Sequence, residues 1–95
     1  MSDAPADRCG LRLDKWLWHA RFVRRRELAA GLVAERRVRL NGQPVAKTHQ
    51  LVRPGDVLVL TERERIRVVR VKELGLRRQG AAEASALYEL VAVEP

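Results

Sequence analysis

Arg12 to Lys47 reads RLDKWLWHARFVRRRELAAGLVAERRVRLNGQPVAK, and a change of period inside this stretch decides the fold. Leu13, Trp16, Leu17 and Ala20 recur at i, i+3, i+4 and i+7, an apolar stripe along one face of a helix. The spacing predicts a helix that starts at Leu11 and ends near Phe22 or Val23. Leu28 with Leu32, and Ala29 with Val33, give a second helical face from about Arg25 to Arg36. Beyond Arg37 the pattern alternates. Val38, Leu40 and Val45 flank Asn41-Gly42, whose two residues tolerate positive φ and so favour a tight hairpin turn.

Further along, Val52 leads to a second turn at Pro54-Gly55-Asp56 and then to a strand at Val57-Leu58-Val59-Leu60. Glu62-Arg63-Glu64 makes another turn, and Ile66 to Val71 is a third apolar, β-branched run. Gly75 and Gly80 bracket a basic loop containing Arg77 and Arg78. From Ala81 to about Glu89 the composition favours a short helix. Leu90 to Val93 either extends it or pairs as a strand, and the sequence leaves both open. The expected class is α+β, with two N-terminal helices packed on one side of a small, mostly antiparallel sheet and a short C-terminal element. The expected organisation is a flexible lead-in over residues 1–10, a domain over 11–74, and a C-terminal loop with a short helix or strand over 75–95.

Charge is concentrated in the same decisive stretch. Ten of the nineteen Lys and Arg residues lie between Arg8 and Arg39, against only Asp14, Glu27 and Glu35, a net of +7. That equals the formal charge of the whole chain. One face built to meet a polyanion, with an ordinary domain behind it, follows from such a distribution.

The bulk numbers exclude several classes. Ninety-five residues make one domain with short tails. A composition 46% hydrophobic and 33% charged is too apolar for a disordered chain. Cys9 is the single cysteine, which rules out an internal disulfide. No apolar run approaches the roughly 18–20 residues that span a bilayer. The acidic start, with Asp3 and Asp7, does not fit a secretory signal. A cytoplasmic location is the expectation, with no membrane partner.

Taken together, the Arg-Leu-Asp-Lys-Trp-Leu-Trp opening, the basic turn, the Val-x-x-Asn-Gly hairpin and the VRPGDVLVL segment resemble the S-four RNA-binding domain, over about Leu11 to Val71. More narrowly, the opening and the later AAEASALYE look like the heat-shock protein fifteen family of ribosome-associated proteins. The resemblance implies that the two helices and the hairpin present one RNA-binding surface. Its contact positions would be Arg12 and Lys15 on the first helix and Arg24, Arg25 and Arg26 at the start of the second. Arg36 and Arg37 at the helix-to-strand corner, and Lys47 beyond the hairpin, would complete it. The chemistry agrees, because arginine presents a planar fork of donors that binds phosphate oxygens in pairs and stacks on bases.

The chain departs from the family pattern in three places. Arg25 stands where related sequences usually carry Ser or Thr, a natural helix cap. Arg36 stands where they tend to have Gly, at a helix exit that favours a left-handed residue. Longer members also continue into a basic C-terminal helix, whereas this sequence ends at Pro95.

Other residues carry weaker readings. Asp14, inside a basic helix, is expected to be a structural partner for a nearby arginine. Trp16 belongs to the core. Trp18 lies off the apolar stripe and either packs against the terminal element or offers a base-stacking plate. His19 borders the basic face, as a phosphate contact or a solvated side chain. No Cys/His/Asp/Glu spacing points to a metal, no Gly-rich phosphate loop precedes a helix, and no nucleophile–base or carboxylate pair invites a mechanism.

The expected function is therefore non-enzymatic binding of structured RNA, without cofactor, metal or small-molecule substrate. The family resemblance implies ribosomal RNA of the large subunit, including stalled subunits that still hold a nascent-chain tRNA, and a stress-response role. A monomer is expected. The competing reading is a DNA-binding regulator of helix-turn-helix type, since two short helices with a basic second helix superficially fit that motif.

Overall fold

Leu13, Trp16 and Leu17, the first three residues of the apolar stripe, are completely buried. In the computed structural model, which describes residues 10–78 and 80–94, they lie on a helix shorter than its periodicity suggests. Leu11–Arg12 is a two-residue strand, β1, and the helix α1 spans Leu13–His19. The start is displaced because Leu11 and Arg12 pair antiparallel with Val52 and Leu51 of β4 (Leu51–Val52). The helix stops early because Arg21 adopts φ +65°. Phe22 N–H then donates to Leu17 O at 2.8 Å and Arg21 N–H to Trp18 O at 3.1 Å, the paired bonds of a Schellman ending.

The second helix, α2, spans Glu27–Ala34. The expectation of a helix from Arg25 to Arg36 is thus trimmed at both ends. Its exit repeats that of α1: Arg36 has φ +58°, Arg37 N–H donates to Leu32 O at 2.8 Å, and Arg36 N–H to Val33 O at 3.0 Å. Both helices therefore end on an arginine in the backbone conformation that glycine usually supplies. Ala29 and Val33 are buried as their spacing predicts, but Leu28 is 47% exposed and Leu32 only half-buried.

The chain then enters β2 (Val38–Leu40), turns through Asn41-Gly42, and returns as β3 (Gln43–Pro44). Asn41 and Gly42 have φ +50° and +88°, as the hairpin reading requires. After β4 come β5 (Val57–Glu62) and β6 (Arg65–Val71), joined at Arg63, which takes φ +52°. A one-turn helix α3 (Ala81–Ala84) and a 3₁₀ turn (Ser85–Leu87) lead to β7 (Tyr88–Glu94). The short C-terminal helix is therefore cut back, and the segment left open by sequence is a strand. It pairs along β6 with a bulge: Val68 opposes Ala92 and Val69 opposes Leu90, leaving Val91 as the extra residue.

Strand order in the main sheet is β3-β2-β5-β6-β7, and every described pairing is antiparallel. Leu58 and Leu60 from β5, with Val69 and Val71 from β6, meet Trp16, Leu17, Ala29 and Val33 in one core. The architecture is α+β with the helices on one face of the sheet, as expected. Phe22 joins the two ends of the chain, its ring 5.8 Å from Trp16 and 4.7 Å from Tyr88.

Candidate nucleic-acid interface

Polar chemistry around α1 and the turn that follows it orders the basic residues. Asp14, in the first turn of α1, is buried to 8% exposure. A carboxylate that deep requires partners. It has two from outside its helix. Arg12 donates Nε–H and Nη2–H to the two carboxylate oxygens at 3.1 and 2.9 Å, and Arg26 Nη2 lies 3.6 Å away. Asp14 is thus the structural partner that its position in a basic helix predicts, and it serves two arginines from separate elements.

The backbone brings a third cation to the same corner. Leu13 N–H donates to Gln50 O at 2.8 Å and Asp14 N–H to Thr48 O at 3.2 Å, while Gln50 N–H donates to Lys47 O at 3.1 Å. The loop carrying Lys47 is therefore laced onto the start of α1, next to Arg12 and Lys15. Arg36 continues the arc, since it lines a surface hollow with Pro44, Val45 and Ala46. Arg25 and Arg26 extend it past Trp18 on the other side.

Two predicted contacts stand apart. Arg24 lines a separate hollow with Leu28, Glu35, Glu62 and Arg63, and Arg37 donates to Glu35 Oε1 at 2.6 Å. Of the eight predicted positions, six follow the α1–hairpin corner (Arg12, Lys15, Arg25, Arg26, Arg36 and Lys47), while Arg24 and Arg37 sit with Glu35 on the side of the β5–β6 turn. Among the described residues, no carboxylate pairs with Lys15, Arg25, Arg36 or Lys47.

The three central arginines also lie before α2 rather than within it. Arg26 occupies the cap position and makes no side-chain cap bond. The first turn is closed instead by Leu28 N–H to Arg25 O at 3.1 Å and Ala29 N–H to Arg26 O at 3.0 Å. The missing Ser or Thr cap is replaced by a tightened backbone turn, which leaves the guanidiniums available for other work. The helix proper reads Glu-Leu-Ala-Ala-Gly-Leu-Val-Ala and carries no side-chain hydrogen-bond donor. A recognition helix needs such groups to read base edges in the major groove, so α2 does not fit a helix-turn-helix reader.

His19 corrects the sequence reading outright. It is 1% exposed, and its Nδ1–H donates to Leu74 O at 3.1 Å, so it neither borders the basic face nor meets solvent. Trp16 Nε1–H donates to Glu73 O at 2.9 Å in the same way. Nothing in the residues around His19 reveals this burial, because the partner lies 55 residues later. Arg78, which is not among the eight predicted positions, also reaches Trp18: its guanidinium carbon lies 5.8 Å from the centre of that ring. The basic loop between Gly75 and Gly80 was the available signal. Among the described residues no cluster of His, Cys, Asp and Glu suits a metal ion, and no helix is long and apolar enough to cross a membrane. Cys9 lies outside the described residues.

The family model for the S4 domain matches residues 11–58. This chain belongs to the S4 domain family. The match covers both helices, the hairpin and the turn into β5, the elements that carry the basic corner. Heat shock protein 15 of Escherichia coli K12 is 39% identical over 89 residues, 94% of this chain and 65% of the relative. The chain thus spans just under two thirds of that protein's length. The RQC P-site tRNA stabilizing factor of Halalkalibacterium halodurans is 38% identical over 88 residues, 90% of this chain and 94% of the relative. Among solved structures, the trimeric heat shock protein 15 of Vibrio cholerae superposes with a TM-score of 0.81 at 36% identity, covering 87% of this chain and 83% of that one.

Proposed function

We propose that this S4 domain protein is a non-enzymatic, cytoplasmic RNA-binding protein that docks on structured RNA of the large ribosomal subunit, in particular subunits retaining a nascent-chain tRNA. The observation that carries the reading is the arc from Arg36 through Lys47, Lys15 and Arg12 to Arg26 and Arg25, ordered at its centre by Asp14. Structured RNA is recognised through phosphate and 2′-hydroxyl positions and overall shape, which a rigid cationic surface suits. Asp14 contributes by fixing the guanidinium plane of Arg12 and holding Arg26 beside it, so that less side-chain entropy is lost when phosphates arrive.

The choice of ribosomal target is supported by the S4 relatives. The H. halodurans protein, nearly all of whose length this chain matches, is named for stabilising tRNA in the P site. The protein works as a monomer in this proposal, in contrast to the V. cholerae trimer, and sedimentation equilibrium tests that point.

The function is tested by sedimentation with purified large subunits, with and without peptidyl-tRNA, in the presence of competing duplex DNA or of free ribosomal RNA. Retention on tRNA-bearing subunits in excess DNA is expected. Equal displacement by DNA and by ribosomal RNA would overturn the reading in favour of a general polyanion binder.

A further inference from the structure

Trp18 packs against the core but, unlike Trp16, is only partly covered by it. Trp16 is fully buried and its N–H is satisfied, whereas Trp18 is half-buried and its N–H meets no acceptor among the described residues. It lines a hollow of about 230 Å³ with Arg25, Arg26 and Glu27. Arg78 reaches the same indole from the loop between β6 and α3. Three cationic groups from two distant segments therefore surround one flat aromatic surface.

We propose that this hollow is a subsite for a single unpaired nucleobase, stacked on Trp18, with its flanking phosphates held by Arg25, Arg26 and Arg78. The proposal rests on the RNA-binding reading above and assigns it a contact outside the segment matched to the S4 domain. The chemistry selects the ligand. A cationic group on the indole would be repelled by the three arginines, and an acidic peptide would use the arginines but leave the aromatic surface idle. An unpaired nucleotide uses both, because every base has a π-face and every linkage a negative charge. The hollow is open at the surface, and stacking on Trp18 requires a base face that a duplex keeps covered by its neighbours, so the subsite reads single-strandedness rather than sequence.

The test compares two probes of equal charge: a hexaadenylate RNA and a fully abasic ribose-phosphate hexamer. The intact protein is expected to bind the hexaadenylate about 5- to 150-fold more tightly, the range that corresponds to stacking of one base. Tryptophan emission is quenched only by the base-bearing probe. Trp18→Leu, which keeps apolar volume without a π-face, brings the hexaadenylate affinity down to that of the abasic probe and leaves the abasic affinity unchanged. Trp18→Phe retains part of the preference. Equal binding of both probes by the intact protein overturns the base subsite while leaving the RNA reading standing. An equal loss for both probes in Trp18→Leu assigns Trp18 a purely structural role and also overturns it. Binding of neither probe overturns the subsite alone, because the RNA reading concerns structured ribosomal RNA and is tested on large subunits.

Discussion

The guanidinium of Arg26, in the turn before α2, lies 3.6 Å from the carboxylate of Asp14 in the first turn of α1. The pair ties the two helices together at the point where the basic residues gather, and Arg12 joins it from β1. Replacing Asp14 separates two effects that usually run together. Asp14→Asn raises the net positive charge by one, so a purely Coulombic interface binds RNA more tightly. If orientation of Arg12 and Arg26 matters, affinity falls instead, and we expect a loss of about three- to tenfold. The same variant loses about 1 kcal/mol of stability in urea titration, the scale of a charge-assisted bond whose arginine partners are partly exposed. Tighter binding by Asp14→Asn would remove Asp14 from the account of the interface.

Salt dependence counts the phosphates. Six cations along the α1–hairpin corner predict a slope of log K against log salt of about −4 to −5. Titration in potassium chloride against a fixed ribosomal RNA fragment measures it. A slope near zero is incompatible with the arc.

The division of the arginines makes a positional prediction. Arg25→Glu together with Lys47→Glu is expected to lower RNA affinity by more than tenfold. Arg24→Glu and Arg37→Glu, on the side of Glu35, are expected to stay within about threefold of the parent. All three variants should keep the circular dichroism of the parent, since these side chains are absent from the core. Equal losses on both sides would mean that the RNA wraps α2 instead of lying along one corner.

Arg36 offers a variant in which stability and function move in opposite directions. Its φ of +58° costs about 1 kcal/mol in a residue with a Cβ, and glycine relieves that strain. Arg36→Gly is expected to raise the urea midpoint while reducing the magnitude of the salt slope by about 1. A variant that gains stability without losing affinity would place Arg36 outside the interface.

Asn41 links two motifs that the sequence presents as separate. Its Oδ1 accepts from Val57 N–H at 2.9 Å and its Nδ2–H donates to Asp56 Oδ1 at 3.1 Å, while Asp56 Oδ2 accepts from Arg53 N–H at 2.8 Å. The hairpin turn and the Pro-Gly-Asp turn are therefore one hydrogen-bonded unit. Asn41→Ala removes two bonds and a residue suited to positive φ, and is expected to cost about 1–2 kcal/mol in denaturant unfolding. No change would mean that the turns are held by β2–β5 pairing alone.

Features encoded by neighbouring residues were readable from sequence. The Asn41-Gly42 hairpin, the Gly55 turn and the buried stripe of Leu13, Trp16 and Leu17 each depend on local conformational preference or helical period, and each is present. Features decided by a distant partner were not readable. Leu11 and Arg12 continue a helical pattern, yet Leu51 and Val52 recruit them into a strand. Tyr88 to Glu94 alternates imperfectly because Val91 is a bulge residue, so the period does not separate strand from helix there. His19 borders the basic residues on a helical wheel, but Leu74 closes over it. The basic positions themselves were recognisable by type and clustering. Their sorting into a corner and a separate flank was not, because it depends on how the turn after α1 aims Arg24 away from Arg25.

Trp16 and His19 each donate to a backbone carbonyl just past the end of β6, and Phe22 packs on Tyr88. The stretch matched to the S4 domain stops at residue 58, inside β5, before any of these partners. Excising that stretch as a portable cassette would cut β5 short, remove its β6 neighbour and expose the indole and imidazole that the later chain keeps dry. For engineering, the smallest transplantable unit therefore runs to Glu94.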